Sequence, residues 1–329
     1  MKYMHFIARV SALVAALGFS GLAAAQSVAP SSMLSDAPAA SALVAADDQT
    51  SILTIHARVN EVNVLFTATD KHGHFVRNLG QGDFSILDDQ KPPQAVVNFH
   101  HETDLPLELG LLVDVSGSVG SRFGFEQQAA TAFLQHVLRP GYDRAFVEGF
   151  NTQTQLAQDF TGNVQLLSAG IHRLHDGGGT ALYDAVYNIC RDKFLNDRPN
   201  HPVRKAIVLI TDGEDNQSEH TRAQAIEMAQ RADVIVYAIS TDDSGLVLRG
   251  DGILNQMADS TGGRAFFPFK MKDITHSFAS IEDELRSQYA ISYRPAAFDT
   301  DGRYRSIQIS ALRKDLQVRS RRGYYAPQN

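Results

Sequence analysis

The stretch Leu109-Gly-Leu-Leu-Val-Asp-Val-Ser-Gly-Ser118 decides the fold. Its first half is apolar without alternation, as expected of a strand covered on both faces of a sheet. Its second half breaks into a carboxylate and two hydroxyls at alternate positions, Asp114, Ser116 and Ser118. Three hard oxygen donors on one short loop suit Mg2+ or Ca2+ and offer little to softer metals. The stretch reads as a buried strand running out into a cation-binding rim. Taken alone, it leaves open whether such a cation binds a partner or activates water.

Outward from this stretch, the chain alternates strand and helix patterns from about Leu105 to Arg286. Strands are predicted at Leu107–Val113, Ala145–Phe150, Thr154–Asp159, Lys205–Thr211, Val234–Ile239 and Arg264–Phe267. Helices are predicted at Phe123–Leu138, Val164–Leu174, Ala181–Phe194, Thr221–Arg231, Ile253–Ser260 and Asp273–Ser287. The helix after Thr180 shows an apolar stripe of Leu182, Val186 and Ile189, with Tyr183, Tyr187, Cys190 and Phe194 beside it. The pattern predicts an α/β fold: a doubly wound, mostly parallel open sheet.

Both flanks read differently. Residues 51–103 hold short alternating runs such as Val62, Val64, Phe66 and Ala68, punctuated by Asp70-Lys-His-Gly73 and Asp88-Asp-Gln-Lys-Pro-Pro93. Residues 288–329 alternate again through Tyr289, Ile291 and Tyr293, then Ile307, Ile309 and Ala311. About fifty residues of strand make a thin core. The expectation is that the two flanks pack together as one small β-rich module, with the α/β domain over 104–287 inserted between them.

Ligands of open α/β sheets bind outside the carboxyl ends of strands, where strand order reverses. Two carboxylates directly follow apolar strands, Asp114 and Asp212. A third loop, Asp176-Gly-Gly-Gly-Thr180, leads into a helix, with Thr180 at a natural N-cap position. Together these loops would supply two carboxylates and three hydroxyls around one point. Asp184 and Asp215 stand nearby, as outer partners of the site or as an ordinary helix-start and a solvated loop carboxylate.

In order and spacing, Asp114-x-Ser116-x-Ser118, Thr180 in Gly-Gly-Thr-Ala-Leu-Tyr-Asp, and Thr211-Asp212-Gly213 resemble the von Willebrand factor type A fold with its metal-ion-dependent adhesion site. Val76-Arg-Asn-Leu79, Ser292-Tyr-Arg-Pro295 and Arg321-Arg-Gly-Tyr324 extend the resemblance to a bacterial subfamily of exported type A-related proteins, to which no defined activity attaches. The resemblance implies that Asp114, Ser116, Ser118, Thr180 and Asp212 hold Mg2+, with Mn2+ and Ca2+ as alternatives. It also implies that an Asp or Glu of a protein partner completes the coordination. The chain is expected to be a binding module and not an enzyme. A metal-dependent hydrolase and a scaffold whose metal only ties loops together stand as the other readings.

The 329 residues, 43% hydrophobic and 20% charged, have room for a large core. Lys2 and Arg9 precede an apolar stretch over Val10–Leu22, and Ala23-Ala-Ala25 precedes Gln26, the layout of a signal peptide cleaved after Ala25. Residues 26–50, rich in Ala, Ser, Pro and Asp, read as a flexible linker. A periplasmic or secreted protein without a membrane span in the mature chain is expected. Cys190 is the sole cysteine, so the chain forms no internal disulfide. The formal charge of −7 argues against nucleic acid as partner, because phosphate contacts need clustered Lys and Arg.

Other motifs read blandly. His72 with His74 and His100 with His101 lack the spacing of a zinc site and read as surface residues. Gly177-Gly-Gly179 is not followed by the Lys of a phosphate loop, and no G-x-S-x-G elbow surrounds either serine. Arg249-Gly-Asp251 reads as a turn, Asn216-Gln-Ser218 matches a glycan acceptor pattern, and Cys190 reads as a small buried hydrophobe.

Overall fold

The computed structural model describes residues 60–101, 105–117, 123–196, 202–242, 244, 246 and 248–328. The leader, the linker and Ser118 lie outside the described residues. The described residues open with β1 (Val62–Asp70), β2 (Phe84–Asp88) and β3 (Ala95–His101). The chain then alternates through β4 (Leu107–Asp114), α1 (Phe123–Val137), β5 (Arg144–Phe150), β6 (Thr154–Thr161), α2 (Val164–His172) and α3 (Leu182–Ile189). There follow β7 (Arg204–Thr211), α4 (Arg222–Arg231), β8 (Val234–Ser240), α5 (Arg249–Thr261), β9 (Ala265–Phe266) and α6 (Met271–Leu285). The chain returns to strands as β10 (Tyr289–Arg294), β11 (Tyr304–Ala311), β12 (Leu316–Ser320) and β13 (Gly323–Tyr325).

The central sheet runs β6-β5-β4-β7-β8-β9 and is parallel except for β6, which turns back antiparallel along β5. All eight residues of β4 are buried, because helices cover both faces. Leu109, Leu111 and Val113 pack with α1, α2 and α6 through Phe133, Leu134, Ile171 and Phe278. Leu112 faces the other layer, with Phe146, Val186, Ile226 and Leu254 under α3, α4 and α5. The one gap in the apolar run has a steric reason: a Cβ at Gly110 would lie 2.6 Å from the Phe146 ring. Beyond Ile189, the helix predicted to reach Phe194 widens into a π turn over Cys190–Leu195, with Cys190 and Phe194 still buried. Burial pushes the Cys190 thiol pKa well up, so it packs as an inert hydrophobe.

Strands from both flanks intermingle in two antiparallel sheets, ordered β12-β1-β10-β3 and β13-β11-β2. Phe66 pairs with Tyr289 and Val64 with Ile291, so the alternation read in each flank faces one shared core with Phe84, Ile307 and Ile309. The Tyr293 and Tyr324 hydroxyls both donate to Asp88 Oδ2, at 2.8 and 3.1 Å, which satisfies that buried carboxylate.

The α/β body is also tied at its base. Asp143, at the entry to β5, accepts from the Leu107 backbone N–H at 2.8 Å and from the Arg139 backbone at 2.8 Å. The Arg139 guanidinium adds bonds of 3.0 Å from Nε and from NH2. Burial pushes the Asp143 carboxyl up, but these donors outweigh it and hold its pKa below the ordinary value. A depressed carboxyl stabilises fully above the unfolded value of about 3.9 and loses that contribution as pH falls through the folded value. Asp143→Asn is therefore expected to cost about 1 to 2 kcal/mol in urea unfolding at pH 7. The deficit should shrink as pH falls below the ordinary Asp value. A deficit independent of pH would contradict this account.

Candidate metal centre

Strands β5 and β7 flank β4, with α1 leading from β4 to β5 and the chain returning from β6 past β4 to β7. The strand order therefore reverses at β4, and a crevice opens at its carboxyl end. Val113 is in register with Ile210, which sets Asp114 beside Thr211 and places Asp212 directly beyond. Asp114 is 1% exposed. Its Oδ2 accepts from the Thr211 hydroxyl at 2.6 Å, and its Oδ1 from the Ser116 backbone N–H at 2.8 Å. Burial raises the Asp114 pKa, the Thr211 and Ser116 hydrogen bonds pull it back, and the nearby negative charge of Asp212 raises it again. Asp212 is half-buried, and its Oδ1 accepts from the Glu214 N–H at 3.0 Å.

The glycine loop is held against this edge by backbone bonds. Gly177 N–H donates to Val115 O at 2.7 Å, and Gly117 N–H to Gly178 O at 3.1 Å. Asn151, just beyond β5, grips the loop: its side-chain amide donates to Gly177 O at 2.7 Å and its backbone carbonyl accepts from Ala181 N–H at 2.7 Å. Gly178 has φ +89°, in the left-handed region that favours glycine. Thr180 is 5% exposed. The expectation that Thr180 caps α3 is not met: Ala181 holds the N-cap and has no side-chain bond. The first N–H groups of α3 are satisfied instead by residues 215 and 218, which leaves Thr180 free of the capping role.

The start of α5 packs closely against the Asp212 backbone. Arg249-Gly-Asp251 is the first turn of α5 and not a turn in a glycine-rich loop, so the helix begins four residues before the predicted Ile253. The reason is local. Asp251, 8% exposed, accepts from the Leu248 backbone N–H at 3.1 Å and closes the helix start. Gly250 permits close approach: a Cβ there would lie 2.0 Å from the Asp212 carbonyl oxygen. Gly250→Ala is expected to cost about 2 kcal/mol by overpacking. Gly252→Ala in the same helix meets nothing within 4 Å and should be neutral or stabilising. Urea unfolding of the pair checks this, and equal stabilities would refute the steric reading.

The structure thus brings Asp114, Ser116, Thr180 and Asp212 to one edge, and Ser118 lies outside the described residues. Two carboxylates and neutral hydroxyls are a donor set of hard oxygens, which fits Mg2+ or Ca2+ better than softer metals. Among the described residues no group of three or more His, Cys, Asp and Glu side chains forms a metal site. His72 and His74 are exposed, and His74 pairs with Asp70 at 3.3 Å. The supporting roles of Thr211, Asn151 and Gly250 were not read from the sequence. Thr211 stood in the quoted Thr211-Asp212-Gly213 motif, but its bond to Asp114 spans 97 residues and leaves no local trace.

Comparison with known proteins places these residues in a family. Residues 109–214 match the model of the von Willebrand factor type A domain. A search of curated proteins finds no match. Among solved structures, the chain is similar to proximal thread matrix protein 1 from the mussel byssus, at 14% identity and TM-score 0.48, over 60% of this chain and 50% of that one. That protein has also been solved with a zinc-occupied MIDAS motif. The chain spans about half the length of the mussel protein. It is similar as well to BatB from Bacteroides thetaiotaomicron, at 17% identity and TM-score 0.42, over 53% of this chain and 98% of that one. The PilB minor pilin of Streptococcus sanguinis matches at 15% identity and TM-score 0.45, over 60% and 63% of the two chains. With the matched residues spanning β4 to the Asp212 loop of a doubly wound sheet, the chain carries a von Willebrand factor type A domain.

Proposed function

We propose that this chain is an exported binding module whose edge at Asp114, Ser116, Ser118, Thr180 and Asp212 holds Mg2+ and captures a carboxylate of a protein partner. The observation that carries the reading is the convergence of Asp114, Asp212, Ser116 and Thr180 at the crevice between β4 and β7. Type A domains mediate protein–protein interaction in general. A Mg2+ given few anionic ligands keeps net positive charge and exchangeable water, and so attracts an incoming carboxylate. The residues supply the rest: Asp114 and Asp212 the anionic oxygens, the hydroxyls the neutral ones. Asp114 is engaged by Thr211 and Ser116 and serves this reading as a ligand, not as a base. The proposed export rests on the leader pattern over residues 1–25. No described helix is long and apolar enough to cross a membrane.

The test selects displayed random peptides on the immobilised chain in MgCl2 and again in EDTA, beside calorimetric titration with MgCl2. The reading expects one saturable metal site and enrichment of peptides bearing Asp or Glu only when Mg2+ is present. Absence of a metal site, or enrichment that survives EDTA, would overturn it.

A further inference from the structure

The helix that follows Thr180 borrows its cap. The Tyr183 N–H donates to Asp215 Oδ2 at 3.1 Å and the Asp184 N–H to Ser218 Oγ at 3.0 Å, while Ser218 Oγ donates to Asp215 Oδ2 at 2.6 Å. The exchange is reciprocal. Asp184 accepts the backbone N–H groups of Glu219 and His220 at 2.9 and 2.8 Å. The His220 ring lies 2.6 Å from Asp184 through Nδ1 and stacks on Tyr187 with centroids 3.8 Å apart. The loop after Asp212 and the start of α3 are therefore laced together on both sides.

Thr180 sits at the centre of that lacing. Its N–H donates to Asn216 Oδ1 at 3.0 Å, and its carbonyl accepts from the Asn216 and Gln217 backbone N–H groups at 3.0 and 3.1 Å. One residue, four places after Asp212, thus holds both polar groups of the Thr180 backbone. The residue before Thr180 has to be small for this grip to form: a Cβ at Gly179 would lie 2.9 Å from Asn216 Oδ1 and 3.0 Å from Gln217 Cγ.

We infer that Asn216 is a positioning residue of the candidate metal centre, fixing the backbone that presents the Thr180 hydroxyl to the edge occupied by Asp212. The inference rests on the metal-site reading and extends it to a residue that is not itself a ligand. It also gives Asn216-Gln-Ser218 a role within the fold, because the Asn216 side chain is used internally.

The test measures Mn2+ binding by electron paramagnetic resonance, reading affinity and stoichiometry separately, with melting temperatures taken in EDTA. Asn216→Ala is expected to weaken Mn2+ binding roughly 10- to 100-fold, as loss of a group that orients a ligand does. Stoichiometry should stay at that of the wild type. Asn216→Asp keeps an oxygen at the same place for the Thr180 N–H and should restore affinity to near the wild-type level. A wild-type affinity for Asn216→Ala would overturn the inference and leave the metal centre intact. So would a fall in stoichiometry with unchanged affinity, the mark of a merely structural role. Absence of Mn2+ binding in the wild type would instead overturn the metal centre itself.

Discussion

Asp114→Asn is expected to weaken divalent-cation binding by roughly a hundredfold or more, while leaving the metal-free protein as stable as the wild type or more so. Both halves follow from burial. Asp114 is 1% exposed, and in the absence of metal its carboxylate is held by hydrogen bonds from Thr211 and Ser116. A buried charge without a counter-charge costs free energy, and a neutral isostere of the same shape removes that cost. The amide keeps an oxygen for one of the two donors. With metal bound at the proposed centre the balance would reverse, because one of the two carboxylates proposed as its ligands is gone. The check is thermal unfolding in EDTA and in a series of MgCl2 concentrations. Ligand at a hundred times its Kd adds about 2.7 kcal/mol to the wild type, and Asp114→Asn should gain about 0.4 kcal/mol or less at that concentration. A Mg2+ shift in the variant equal to that of the wild type would remove Asp114 from the centre.

The second large effect is one of stability. Glu284, near the end of α6, is 1% exposed and pairs with Arg319 of β12. Burial pushes the Glu284 pKa up, and Arg319, the Tyr237 hydroxyl and Arg264 draw it back. The pair joins the α/β body to the flanking sheets just before the chain crosses from α6 to β10. Breaking a buried pair by removing one partner strands the other charge, at about 3 to 5 kcal/mol. Arg319→Met should therefore lower the melting temperature by about 10 °C for a body of this size. Glu284→Gln combined with Arg319→Met should lose much less than Arg319→Met alone, because no stranded carboxylate remains. The pH dependence has a definite sign. A carboxyl raised in the folded state binds its proton more tightly there, so its stability is greatest below the unfolded value and falls as pH rises through the folded one. The defect of Arg319→Met should accordingly be larger at pH 8 than at pH 5. An equal loss in the single and double variants would show that packing, and not the ion pair, holds this joint.

Much of the architecture was legible because burial leaves a periodic record. Leu109–Val113 and Ala206–Ile210 are continuously apolar because helices cover both faces, and both ran as central strands. Val62, Val64 and Phe66 alternate because only one face of β1 meets the core they share with Tyr289 and Ile291. The helix ends proved harder. Arg249-Gly-Asp251 carries two residues that look like a turn, and its helical start depends on Gly250 seating against Asp212. Thr180 looked like a cap by local rule, and the actual caps arrive from 32 and 34 residues later in the chain. The antiparallel course of β6 had a local signal in the three residues that separate it from β5, because parallel neighbours need a crossover of about a dozen or more residues.

By itself the sequence determined the class of fold and the order of its elements, and it offered Asp114, Ser116, Ser118, Thr180 and Asp212 as candidate oxygen donors. Those features are local: the period of apolar residues reports which faces are buried, and residue type reports what chemistry a strand end can offer. Only the tertiary structure decided that β4 lies between β5 and β7, so that Asp114 and Asp212 share one crevice. It alone showed Thr211 bonded to Asp114 and Asn216 gripping Thr180. These are contacts between a side chain and a distant partner, set by how sheet and helices pack. No local pattern encodes them, because either residue would look the same in the sequence without the other.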